Sequence, residues 1–153
     1  MKKTTLDIGS VSSCTMRTED LIPAFVWECN HLRLSRSERA TVREIEKRMR
    51  APDYYDSEDS DYDLNEDPFT ILDSHCPPYC YFGAHEGDGS DYGVWFASES
   101  FDEDCRSGEV LKVSDLGEVP AGHSGMVAQV SDHGNLELYR AVNGRLYSVL
   151  SIV

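Results

Sequence analysis

The chain has 153 residues, with 28 Asp and Glu against 14 Lys and Arg and a net charge of −14. A balance that acidic argues against nucleic-acid binding by the main body, because like charges repel the phosphates that dominate such affinity, while a hydrophobic content of 40% with 10% aromatics is too high for a wholly disordered acidic chain. No segment approaches the eighteen or so apolar residues needed to span a bilayer.

Residues 1–17 carry Lys2 and Lys3 without an apolar run of signal-peptide length, so the expectation is a flexible N-terminus on a protein that stays in the cytoplasm of the cell that makes it. Thr18 is a suitable cap for a helix with Glu19 and Asp20 in its first turn, after which Leu21, Ile22, Phe25, Val26, Cys29 and Leu32 recur at helical spacing. Pro23 falls early enough to be tolerated. Ser35 with Glu38 three residues on is a capping box, followed by Val42, Ile45 and Met49 on one narrow stripe and stopped at Ala51-Pro52. Residues 18–51 therefore read as a helical hairpin.

Residues 52–75 read as an acidic linker. Asp53 to Asp67 holds eight acids in fifteen residues with Leu64 as the lone aliphatic and no clear period. From Cys76 onward short β-rich runs are separated by glycine: Tyr79 to Phe82, Tyr92 to Ala97, Val110 to Val113, Met126 to Val130, Leu136 to Ala141 and Leu146 to Ile152. Asn143-Gly144 is a strong hairpin signal, and the last three runs are expected to form an antiparallel meander. The expected architecture is α+β, a single compact domain in which the N-terminal hairpin packs on a C-terminal antiparallel sheet of about five or six strands spanning 76–153.

The charge is segregated along this frame. Residues 1–50 hold ten basic and seven acidic side chains, 51–105 hold sixteen acids and no Lys or Arg, and 106–153 hold four basic and five acidic ones. In an extended chain rising about 3.3 Å per residue, the acidic run places a carboxylate every 6 Å or so, about half the linear charge density of one DNA strand. A second row, drawn from Glu86, Asp88, Asp91, Glu99, Asp102, Glu103 and Asp104, would bring the pair close to a duplex. The candidate partner-binding residues are therefore Asp53, Tyr54, Tyr55, Asp56, Glu58, Asp59, Asp61, Tyr62, Asp63, Glu66, Asp67, Asp88, Asp91, Asp102, Glu103 and Asp104, with the three tyrosines as anchors stacking on guanidinium or apolar surface. The plainer reading is a set of solvated loops kept acidic for solubility.

Arg33, Arg36, Arg39, Arg43, Lys47, Arg48 and Arg50 form the counterweight. Three readings stay open for them: an exposed amphipathic helix with ordinary surface pairs, neutralisation of the acidic run within the chain or across a homodimer, and direct contact with nucleic acid.

Metal and catalytic signals are weak. Cys76 and Cys80, with His75, His85 and Cys105, offer soft ligands, but the usual second close pair is missing. Asp59, Asp61 and Asp63 begin like a calcium loop, yet Leu64 stands at the glycine position and Thr70 at the place of the bidentate Glu. Five cysteines, an odd number, suggest reduced thiols. Ser124 lacks a nucleophile elbow, and His85, His123 and His133 sit in glycine-flanked turns. No catalytic residue, metal or cofactor is assigned.

The stretches Tyr81 to Gly89, Tyr92 to Phe96 and Ser131 to Tyr139 resemble small proteins encoded by phages and mobile elements. The likeness covers about half the chain and implies no activity. In size, charge and segregation of its acids the chain also resembles the anti-CRISPR and anti-restriction inhibitors that mimic DNA, a class without a common motif, so no residue role is carried over. That resemblance implies a non-enzymatic inhibitor whose acidic face occupies the basic nucleic-acid channel of a host defence complex. The alternatives are a shape-based inhibitor or adaptor that uses the helical hairpin or a sheet edge, and an anti-restriction protein.

Overall fold

A computed structural model describes all 153 residues and shows an α+β chain in two compact units, Met1–Cys76 with Cys80–Phe96, and Pro77–Tyr79 with Ala97–Val153. Its strands lie in two sheets of three and four rather than in one sheet of five or six.

The first unit begins with strand β1 (Gly9–Ser12), so the stretch expected to be flexible contributes to a sheet. Helix α1 (Thr18–His31) follows, with Leu21, Ile22, Phe25, Val26 and Cys29 buried as their spacing predicts. Its N-cap is Arg17 rather than Thr18 and makes no side-chain cap bond. Thr15 Oγ1 instead accepts from the Arg17 amide at 3.2 Å and donates to Asp20 at 2.7 Å.

Helix α2 (Arg36–Arg48) starts on the expected box. The Glu38 amide donates to Ser35 Oγ at 3.2 Å and the Ser35 amide to Glu38 Oε2 at 2.7 Å. The two amide bonds satisfy groups a helix start leaves orphaned, and the one from the Ser35 amide is the main cause holding the Glu38 carboxyl below its ordinary value.

The acidic linker is itself folded. A 3-10 turn (Tyr54–Asp56), α3 (Glu58–Asn65) and α4 (Asp67–Ser74) occupy it. Pro68 at the start of α4 is placed where a helix tolerates proline. α1 packs on α3 and α4 as well as on α2, so the first two helices belong to a four-helix cluster instead of forming a separate hairpin.

Strands β2 (Cys80–His85) and β3 (Asp88–Phe96) complete the sheet in the order β1-β3-β2, antiparallel throughout. Gly93 faces Ser10 across the β1 pairing, and a Cβ there would lie 2.2 Å from the Gly9 carbonyl oxygen. Only glycine lets these backbones approach so closely. The core of the unit gathers Leu6, the α1 stripe, Val42, Ile45, Tyr54, Ile71, Leu72, Phe82 and Val94.

In the second unit α5 (Ser98–Ser107) is followed by β4 (Val110–Val113), β5 (Gly125–Val130), β6 (Leu136–Val142) and β7 (Arg145–Ile152). α5 ends on Gly108 in the left-handed region, φ 88°. β5, β6 and β7 form the expected antiparallel meander, and Asn143 and Gly144, φ 52° and 79°, supply its mirror-image turn. β4 pairs parallel to β5, which requires a crossover, here residues 114–124 with a 3-10 turn at Leu116–Glu118. Val113, Val127 and Ala141 form a small core. No helix is long and apolar enough to cross a membrane.

Candidate charged surfaces

The acidic segment divides into a buried and an exposed set because it is helical. On α3, Ser60 and Asp63 face inward. Asp63 is 1% exposed and accepts from Arg48 Nε at 3.0 Å, Arg48 Nη2 at 2.7 Å and the Tyr54 hydroxyl at 2.7 Å. This bidentate, charge-assisted pair is the strong kind of ion pair. The bond to Asp63 is the main cause raising the Arg48 guanidinium further above its ordinary value.

Asp63 is therefore a structural group and not a phosphate mimic, and the run is in part neutralised from within the chain. Tyr54, 3% exposed, is a core residue and cannot anchor a partner. Tyr55 lies half-buried, edge-on to Tyr54 with ring centroids 4.9 Å apart. Burial raises the hydroxyl pKa of both tyrosines.

The exposed set is more coherent. Asp53 precedes the 3-10 turn and Asp56 ends it, while Glu58, Asp59, Asp61 and Glu66 lie on the solvent side of α3 and its C-terminal cap. Tyr62 is 61% exposed and, at i+4 from Glu58 and i−4 from Glu66, stands in the middle of that face. None of these six carboxylates forms an ion pair. Asp67, at the start of α4, is half-buried.

The intended second row fares differently. Asp88 is exposed in the β2–β3 turn, where it accepts from the Ser90 amide at 3.0 Å and the Ser90 hydroxyl at 2.8 Å, bonds that hold its carboxyl low. Asp91 accepts from the Ser10 hydroxyl across β1 and β3.

Asp102, Glu103 and Asp104 belong to the other unit, on α5 rather than on a loop. Asp104 accepts from the Tyr79 hydroxyl, whose pKa is pushed up to about 12, first by burial and then by this bond. Asp102 lines a shallow depression with Cys105, Arg106 and Lys112, so cations stand beside it. Glu103 is exposed. The picture of two extended acidic rows is replaced by one acidic helical face in the first unit and separate carboxylates elsewhere.

The basic residues form a second surface on the same unit. At about 100° per residue, Arg36, Arg39, Arg43 and Lys47 fall within an arc of about 80° on α2, facing away from Ile45, and Arg50 follows just past the end of the helix. None of the five forms an ion pair; Arg48, which does, points to another side of the helix.

No three His, Cys, Asp or Glu side chains are grouped to hold a metal ion. His75 instead meets the Thr4 carbonyl through Nδ1 at 3.0 Å and Glu38 through Nε2 at 3.1 Å. All five cysteines are free thiols. Burial pushes Cys29 and Cys76 up to about 12 and Cys80 up to about 11, whereas Cys14 is exposed.

Since the thiolate is the nucleophile, iodoacetamide near neutral pH should label Cys14 first, and Cys29, Cys76 and Cys80 only on unfolding, as peptide mass mapping would show. A folded pKa raised above the ordinary 9.0 contributes stability present below pH 9 and lost as pH climbs toward 11–12. The same thiols should therefore become reactive together as the first unit opens in alkali.

Compared with known proteins, the chain matches no family model, no curated protein and no solved structure.

Proposed function

We propose that this protein is a non-enzymatic inhibitor of phage or mobile-element origin that works by binding. In this reading its acidic α3 face occupies a basic, nucleic-acid-holding surface on a host defence complex, a CRISPR effector in the first instance and a restriction enzyme in the second. The observation that carries the reading is the set of six carboxylates on residues 53–66, free of ion pairs with the protein's own cations, around the exposed ring of Tyr62. Carboxylates there take the place of phosphates against Arg and Lys of the target, and Tyr62 supplies the aromatic contact. Tyr54, Asp63 and Arg48 hold the face in place.

A shape-based reading also has an observation behind it. β7 is a sheet edge with Tyr147 51% exposed, and an unpaired edge is a template for strand addition.

The test reverses Glu58, Asp59, Asp61 and Glu66 to Lys, all exposed, and measures inhibition of the target complex while circular dichroism monitors the fold. Loss of inhibition in a folded variant, together with a steep fall of affinity with salt, is the expected result. Full inhibition by the variant would remove α3 from the mechanism, and affinity insensitive to salt would favour the β7 edge.

A further inference from the structure

The basic stripe of α2 stands beside an aromatic that no core packing explains. Trp27 on α1 is 59% exposed and lies against the His31 ring, with centroids 3.8 Å apart and planes at 34°. His31 Nδ1 meets the Trp27 carbonyl oxygen at 2.7 Å, which fixes the imidazole under the indole. Trp27, Asn30 and His31 share one helix face at i, i+3 and i+4. Asn30 in turn reaches α2, its Nδ2 donating to Glu46 Oε1 at 2.7 Å. Glu46 is three residues past Arg43, on the flank of the cationic stripe. The indole and the cations therefore lie along one continuous α1–α2 surface of the first unit.

We infer that this surface binds single-stranded nucleic acid, with Arg36, Arg39, Arg43, Lys47 and Arg50 along the phosphates and a base stacked on Trp27. Four of the five cations are arginines, whose planar fork suits phosphate oxygens. Arg36 to Lys47 span about 16 Å of a helix held to the core through Val42 and Ile45, with Arg50 just past its end. A cationic groove combined with an exposed aromatic is how single strands are held without sequence reading, because every unpaired base offers a π face. In a duplex the bases are already stacked and Trp27 has no such face to meet. The net charge of −14 does not forbid this, since none of the five cations is taken up by an ion pair within the chain. The surface shares no residue with the acidic α3 face, and the inference stands whether or not that face binds a defence complex.

The experiment titrates fluorescein-labelled oligo-dT of fifteen nucleotides into the full chain across 50 to 200 mM salt, with the same-length duplex and poly-L-glutamate as competitors. Binding is expected to quench Trp27 emission and to weaken about 100-fold over that range, the slope of about −3.5 for five phosphate contacts on a single strand. Replacing Arg36, Arg43 and Lys47 with Gln, all three exposed, should reduce the slope to about −1.4. Trp27→Ala should abolish the quench and weaken binding at least about fivefold. The α3 reversal variant should bind oligo-dT no less well, which separates this result from the test of the acidic face.

Unchanged affinity in Trp27→Ala, or a duplex or poly-L-glutamate that competes equally, would overturn the assignment. So would sedimentation showing that the wild-type chain pairs with itself and that the Gln variant does not, since the stripe would then belong to a second copy.

Discussion

Arg48→Met is expected to cost about 3–5 kcal/mol in stability, because it strands a buried carboxylate. Asp63 is almost wholly buried and has just two polar partners, the Arg48 guanidinium and the Tyr54 hydroxyl. Removing the cation leaves a charge in a low-dielectric setting with one neutral donor. Asp63→Ala should cost less, about 2–3 kcal/mol, since the Arg48 side chain is 37% exposed and can regain water while the Tyr54 hydroxyl is left unsatisfied. Arg48→Met combined with Asp63→Leu should recover most of the loss, because replacing both partners with apolar groups removes the desolvation penalty together with the attraction. Urea unfolding followed by tryptophan emission measures all three, as Trp27 and Trp95 both lie in the first unit. Equal cost for the two single variants would mean that the pair is held by solvent-exposed attraction and that burial contributes little.

The same triad explains which parts of the fold the sequence makes legible. α1 and α2 bury aliphatic and aromatic stripes at helical spacing, and Ser35 with Glu38 marks the start of the second, so pattern and cap agree. α3 offers no such pattern, because the positions it turns inward are Ser60 and Asp63. Ser60 is satisfied by the Ser57 carbonyl at 2.8 Å and Asp63 by residues fifteen and nine positions upstream. A polar side chain at a core position is readable only once its partner is known, and the partner is a matter of tertiary structure. α5 lies in a region expected to be sheet and loop: Phe101 and Cys105 are four apart and Gly108 stops the helix, but acids at 99, 102, 103 and 104 mask that short period. The strands from β4 to β7 follow β-branched runs closely. What their pattern cannot reveal is that β4 lies parallel to β5 or that β2 and β3 belong to another sheet, since alternation fixes which face is buried and not which neighbour is chosen.

Charge behaves in the same way. The count of sixteen acids between 51 and 105 is right about the field and uninformative about its shape. Folding the first part of that stretch into α3 and α4 compresses the chain there from about 3.3 to 1.5 Å per residue and rotates successive side chains around an axis. A linear row of carboxylates thereby becomes one face, with Asp63 removed to the interior. The cations on α2 undergo the opposite change: dispersed in the sequence among Glu38, Glu44 and Glu46, they are gathered by the helical period into a stripe.

Phe25→Ala should be comparable in cost to the loss of Arg48, about 3–5 kcal/mol, for a wholly different reason. Phe25 has no exposed surface and sits where α1 meets the first sheet. Its ring is edge-on to Phe82 of β2 at 5.0 Å and tilted against Tyr92 of β3 at 5.7 Å. Phe82 in turn meets Phe69 of α4 at 5.2 Å, again edge-on. Three phenylalanines thus connect two helices to the sheet, and each edge-to-face pair adds to the area it buries. Deleting the Phe25 ring opens a cavity that backbones on both sides, one helical and one in a ladder, cannot collapse to fill. A domain has about 5–15 kcal/mol to lose, so the first unit should melt far earlier while the shape of its transition is kept. Phe25→Leu, which retains most of the volume, should lose well under half as much. The aromatic signals of Tyr139 and Tyr147, which lie in the second unit, provide the internal control: if their transition shifts by the same amount as the tryptophan emission, the two units unfold as one, and if it stays, the loss is confined to the unit that Phe25 holds together.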